Sequence, residues 1–395
     1  MSAHPNLNVL LSRSAARRLT RRHFLGLSAA GAATGALWLA GCSGDDGGDA
    51  GGATTAGGAA DDEAPQLERN LYIYTWPEYH SPEAIEAFQE KGPTVTLDIF
   101  SSMDEAIAKL DAARGGSGYD IVVPTGVYVP EMAARGLLQQ LDLSRIPNFA
   151  NLDRLYTDQA WDKGNRYTVC KAWGCTGWLY DTTVVRQPIT TWQDFIDAAT
   201  QPGVAGRVSV LDSAPNLAGL YFWAKGIPWT TERAEDLDAY EDWVLEWITS
   251  VKAFDSYPGV GLAAGDYVLS MAYNGDARQA LLVFDDPTRY VWGVGAPRTE
   301  IWMDTFAIVK GAEHVNAAYA FIDHMLDPMA SAHEVEWHGY HTGVKGVEEL
   351  LSDLPRADMI FFDDTVVATM EPGALNAARE RVVKIHAAAR SKIGA

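Results

Sequence analysis

From residue 71 onward, short β-branched and aromatic runs alternate with stretches whose apolar residues recur at helical spacing. The run "LYIYT" (71–75) predicts a strand, and Ser81-Pro82-Glu83 supplies a cap, an N1 proline and an acidic first turn for the helix after it. A second strand is expected at "TVTLDIF" (94–100). Ser102-Met103-Asp104-Glu105 then reads as a capping box for a helix with Ile107 and Leu110 inward, stopped by Gly115, Gly116 and Gly118. "YDIVVP" (119–124) reads as a buried strand and "PEMAARG" (130–136) as a helix. The rhythm resumes with strands at "GRVSVL" (206–211) and "DYVLSMAY" (266–273), and with helices over 231–252, 316–326 and roughly 374–390. Alternation of this kind predicts an α/β protein with two lobes, each holding a parallel sheet covered on both faces.

Ligands of open α/β sheets bind beyond the carboxyl ends of the strands, so the residues that follow each strand carry the functional information. Trp76, Glu78 and Tyr79 follow the first strand, Thr125 and Tyr128 the third, Asp212, Ser213 and Asn216 the run 206–211, and Asn274 and Asp276 the run 266–273. Aromatics and acids recur there, and basic residues do not. Each aromatic taken alone also serves as core packing, and each acid as a helix cap; the recurrence is the signal. The stretch "EIWMDTFAIVK" (300–310) sharpens it, because Asp304 sits among apolar strand residues two positions after Trp302. A carboxylate taken out of water costs several kcal/mol unless a cation or donors meet it.

Charge narrows the class of partner. The chain has 31 Lys and Arg against 52 Asp and Glu, a net −21, and loss of residues 1–41 with their five arginines would leave −26. That excludes nucleic acid as the expected partner and favours cationic ligands. Catalytic signatures are missing: there is no Gly-x-Ser-x-Gly elbow, phosphate loop or dinucleotide fingerprint. In "HEVEWH", His333 and His338 are five apart, not the four that place two metal ligands on one helix face. No cofactor and no metal are expected. Cys170 and Cys175 would lie about 16 Å apart on a strand, too far for a disulfide.

The N-terminus, "LTRRHFLGLSAAGAATGALWLAGC", resembles a twin-arginine export signal ending in the lipobox of bacterial lipoproteins, with Cys42 as the acylated residue. Residues 42–68, rich in Gly, Ala and Asp, then form a flexible tether. The pieces "LYIYTWPEY", "YDIVVPTGVYVPEM", "MAYNGDA", "IWMDTFAI" and "HGYHTG" resemble, in order, the polyamine-binding proteins of ABC importers, the spermidine- and putrescine-binding family. The resemblance implies a two-lobed periplasmic-binding-protein-like fold of type II with the ligand in the interlobe cleft, and no enzymatic activity. Lobe 1 would comprise residues 69–178 and 304–349, lobe 2 residues 179–303 and 350–395. It implies a ligand site of Trp76, Glu78, Tyr79, Thr125, Ser213, Tyr273, Asp276, Trp302, Asp304 and Tyr340, with Asp304 paired to the ligand's ammonium. Ser213 and Asn216 stand where spermidine binders carry acids, and Val127 where a cleft tyrosine is common, so the resemblance implies putrescine or a related diamine. A different small cation or polar solute is the runner-up, and an anchored hydrolase the alternative from another class. The implied partners are the importer's permease subunits and, through Cys42, the outer face of the cytoplasmic membrane.

Overall fold

Ten strands hydrogen-bond into one continuous array in the computed structural model, which describes residues 66–393. The export signal, Cys42 and nearly all of the tether lie outside the described residues. The strands are β1 (Asn70–Thr75), β2 (Thr94–Ile99), β3 (Ile121–Val122), β4 (Thr168–Asp181), β5 (Val208–Val210), β6 (Val251–Phe254), β7 (Leu269–Tyr273), β8 (Tyr290–Val294), β9 (Thr299–Ile308) and β10 (Met370–Pro372). Their order is β2-β1-β3-β9-β4-β7-β5-β6, with β10 on β9 and β8 on β4.

The array is mixed rather than parallel, which corrects the expectation from alternation. β1, β2 and β3 are parallel to one another, as are β5, β6 and β7, but β9 runs antiparallel to β3 and β4, and β4 antiparallel to β7. The cause is that β4 and β9 serve both halves. β4 pairs with β9 through Cys175 and with β7 from Thr176 onward, so its 14 residues, buried throughout, pass from one half to the other. Two pairs of hydrophobic cores result. Leu71, Phe88, Trp173 and Phe321 mark one half; Trp178, Trp192, Phe222 and Tyr240 mark the other.

Local signals hold where they rest on capping chemistry. Ser81 Oγ accepts from Ala84 N at the start of helix Pro82–Gln89, with Pro82 in the first turn. Ser102 Oγ accepts from Glu105 N, but the Glu105 carboxylate accepts from Ser101 N and Oγ, so the expected box closes one residue early. Three boundaries differ. The strand expected over 119–124 is only Ile121–Val122, since Pro124 has no N–H to continue a ladder. The helix expected over 231–252 is Ala234–Trp247; Val251 and Lys252 instead begin β6, and the buried Ile248 and Val251 had prolonged the helical pattern past its end. The C-terminal helix is Arg379–Lys392, starting well after Pro372-Gly373. Cys170 and Cys175 are both free thiols in the core. Among the described residues no helix is long and apolar enough to cross a membrane.

Candidate functional site

The site is built from the ends of β1, β3 and β7, the middle of β9 and the loop after helix Pro328–His338. Asp304 is its centre. It is only 7% exposed, and Thr125 Oγ1, from the loop after β3, donates to its Oδ1 at 2.6 Å; the two residues are also joined by a backbone bridge. Burial raises the Asp304 carboxyl to about 6, with Thr125, Tyr79 and Lys171 pulling the other way. Lys171 does not satisfy it, because its ammonium is 2.6 Å from Glu334 Oε2, in a buried cluster where Ser81 N also donates to Glu334. The same ammonium lies 4.0 Å over the Tyr79 ring, fixing that ring between the Lys171–Glu334 pair and Asp304. Among the described residues Asp304 forms no ion pair.

Successive side chains on a strand point to opposite faces, so Glu300, Trp302 and Asp304 project from one face of β9. Trp302 packs edge-on against Tyr340, with ring centroids 4.7 Å apart, and against Tyr273 at 6.0 Å. Three aromatic rings therefore meet at Trp302, two residues along the strand from Asp304. Space for them is made by two glycines: a Cβ on Gly174 would stand 2.5 Å from the Trp302 ring, and one on Gly275 2.5 Å from Tyr340. Tyr340 Oη donates to Asp276 Oδ2 at 2.6 Å, bringing Asp276, in the first turn of helix Asn274–Val283, to the same wall.

Glu300 is the residue that sequence reasoning passed over. Asn216 Nδ2 donates to its Oε2, and Thr176 Oγ1 donates to the same oxygen at 3.0 Å. Burial lifts its carboxyl to about 7, with the Asp304 charge adding to the rise. Its signal was in the register: the acid–aromatic–acid positions 300, 302 and 304 keep the period of two that marks one face of a strand. Ser213 stands at the N-cap position of helix Ala214–Lys225 without capping it through its side chain, and donates its hydroxyl to Asn216 Oδ1, so it acts on Glu300 through Asn216.

The structure thus brings together Tyr79, Thr125, Ser213, Tyr273, Asp276, Trp302, Asp304 and Tyr340. Glu78 is exposed, at a positive φ of 53°, and its carbonyl accepts from Trp337 Nε1. Trp76 packs edge-on against Phe100 at 4.5 Å, at the margin of the lobe core. Asp212 pairs with Arg390 and belongs to the scaffold. His338 stacks beside Tyr79 and accepts from Tyr340 N, and among the described residues no group of His, Cys, Asp and Glu is arranged to hold a metal. A surface hollow of about 430 Å³ beside Gln139, Tyr167 and Lys310 has no carboxylate in its lining, the wrong lining for a cation.

Two hydrophobic cores joined by shared strands, with carboxylates and aromatic rings gathered where those strands run, make an arrangement suited to holding a small solute. The bacterial extracellular solute-binding protein family matches residues 83–362, and the chain belongs to that family, whose members bind solutes and are not enzymes. A putrescine/agmatine-binding protein of Pseudomonas aeruginosa is 30% identical over 340 residues, covering 80% of this chain and 90% of its own. A spermidine/putrescine-binding periplasmic protein of Escherichia coli is 29% identical over 302 residues, 74% of this chain and 83% of its own. The fold is the mixed α/β periplasmic-binding-protein-like fold. A spermidine/putrescine ABC transporter substrate-binding protein of Streptococcus pneumoniae superposes with a TM-score of 0.71 at 23% identity, over 82% of this chain and 99% of its own. A lipoprotein of Treponema pallidum superposes at 0.70 and 23% identity, over 82% of this chain and 99% of its own.

Proposed function

We infer that this protein captures a small polyamine, a short diamine of the putrescine type, for an ABC importer. The observation that carries the reading is Asp304: a buried carboxylate held by a hydroxyl donor, with no ion pair among the described residues and three aromatic rings meeting at Trp302, two residues along the same strand face. A primary ammonium supplies the missing charge through a charge-assisted hydrogen bond. The methylenes behind it lie against Trp302, Tyr273 and Tyr340, whose ring faces also attract cations. Asp276, through its bond to Tyr340, adds negative potential at the wall, and Thr125 holds Asp304 in place. The names of the relatives in Pseudomonas aeruginosa and Escherichia coli agree in ligand class. Ser213 and Asn216 leave helix Ala214–Lys225 without an acid in its first turn, which favours a diamine over a longer polyamine.

The two lobes, 69–178 with 304–349 and 179–303 with 350–395, close on the ligand, and permease subunits of the importer receive it. Export by the paired Arg21 and Arg22 and acylation at Cys42 hold the protein on the outer face of the cytoplasmic membrane, with residues 42–68 as tether. Calorimetric titration of putrescine, cadaverine and spermidine into the purified protein tests the ligand class; absence of binding by all three refutes it. Membrane retention of a cleaved Cys42→Ser variant would refute the anchor.

A further inference from the structure

β9 carries two carboxylates on one face, four residues apart, with Trp302 between them. At a rise of about 3.3 Å per residue their Cα atoms stand roughly 13 Å apart. An extended four-carbon diamine, built from bonds of about 1.5 Å, holds its nitrogens about 6 Å apart. Adding about 2.8 Å for a charge-assisted bond at each end gives a span near 12 Å. Between the two acids stands Trp302, whose indole ring lies along the middle of such a span and whose buried Nε1 has no hydrogen-bond partner among the described residues. Glu300 is not a stray acid of the scaffold. Two donors from separate elements, Thr176 on β4 and Asn216 in helix Ala214–Lys225, aim one of its oxygens, and among the described residues it forms no ion pair. Glu300 also keeps part of its surface open, whereas Asp304 is almost wholly enclosed.

We propose that Glu300 receives the second ammonium of the ligand and, with Asp304 at the other end of the same strand face, sets the length of diamine the site accepts. This rests on the reading of the protein as an amine binder and goes beyond it, because it assigns the second anchor to β9 rather than to Asp276. Asp276 is engaged by Tyr340 Oη and shapes the aromatic wall. Thr176 and Asn216 become positioning residues for Glu300, and Asn216 explains why an amide at this place serves a cationic ligand: it acts through the acid it holds.

The test compares putrescine, cadaverine and butylamine, which carry two, two and one ammonium groups, by calorimetry on the wild type and on Glu300→Gln, Glu300→Asp and Asp276→Asn. A second buried charge contact is worth about 30-fold or more in affinity, so the wild type prefers putrescine to butylamine by at least that factor. Glu300→Gln keeps the side-chain shape and an acceptor for Asn216. It should lower the preference to less than about 5-fold while leaving butylamine affinity within about 3-fold of wild type. Glu300→Asp withdraws the carboxylate by one methylene and should turn the preference from putrescine towards cadaverine, an outcome that a folding defect cannot produce. Retention of the full diamine preference in Glu300→Gln, or its loss in Asp276→Asn alone, overturns the assignment while leaving the amine reading intact. Failure of wild type to bind any of the three overturns both.

Discussion

Replacing Asp304 by Asn should do two opposite things, strengthening the ligand-free fold and destroying affinity. The Asp304 carboxyl is raised from its ordinary 3.8 to about 6 by burial. A raised acid means that the folded protein holds a proton which the unfolded chain has already released. Stability therefore falls as pH rises from about 4 to 6, and the loss is complete above that range. A shift of about 2 units corresponds to roughly 3 kcal/mol. Asn has the same shape and still accepts from Thr125 Oγ1, but carries no charge to desolvate. At pH 8 and without ligand, Asp304→Asn should be more stable by up to about 3 kcal/mol, a rise in melting temperature of roughly 4 °C for a chain of this size. At pH 4 the two proteins should melt together. With a diamine the order reverses, because loss of a buried counter-charge costs about 2–5 kcal/mol of binding. Scanning calorimetry at pH 4, 6 and 8, with and without putrescine, reads both effects. If Asp304→Asn is less stable than wild type at pH 8 without ligand, the aspartate is a structural acid partnered inside the protein, and the reasoning fails.

Trp302→Ala should weaken diamine binding by about 1–3 kcal/mol through lost wall area and cation–π contact; an unchanged dissociation constant would place the ligand elsewhere. Gly174→Ala puts a methyl group 2.5 Å from the Trp302 ring and should cost about 1–3 kcal/mol of stability, read by urea denaturation, and turn the indole out of place; a neutral result would mean that β4 yields easily. Because the Glu300 carboxyl sits at about 7, arrival of a cation at pH 7 should expel part of a proton, so binding enthalpies measured in buffers of different ionisation enthalpy should differ; equal enthalpies would mean that Glu300 does not face the charge.

The candidate site was more legible in the sequence than the sheet that carries it. Positions after strand ends are marked by local chemistry, so Tyr79, Thr125 and Asp276 could be found without knowing how the strands pair, whereas Tyr273, inside its strand, was reached only through the resemblance. Pairing itself is not local. The directions of β4 and β9 are set by pairing with each other, with β3 and with β7 across at least 89 residues, the separation of Tyr180 and Leu269, and a fully buried 14-residue strand has no alternation to announce it. The same blindness hid Glu300. Its role depends on Asn216 and Thr176, 84 and 124 residues distant, whereas its neighbour Asp304 stood out because apolar residues surround it. Glu78, in a stretch that matches the resemblance, is exposed, with its backbone at positive φ and its carbonyl held by Trp337, features that its local sequence does not announce.

The pairing of β4 with β9 governs how one half of the molecule can move against the other. Two of the segments that run between the halves are strands bonded to each other from Thr168 to Cys175 and from Ile301 to Ala307. Rotation of the halves must therefore pass through a two-stranded ribbon, which twists readily but resists shear, because sliding would break ladder bonds worth about 1 kcal/mol each. Such a joint keeps the same hydrogen bonds in every position and orders no slack chain on closing, so little of the ligand's binding energy is consumed in immobilising the hinge. The register break between Cys170 and Ala172 lies within the ribbon, opposite Thr305 and Asp304, and gives it a preferred place to twist.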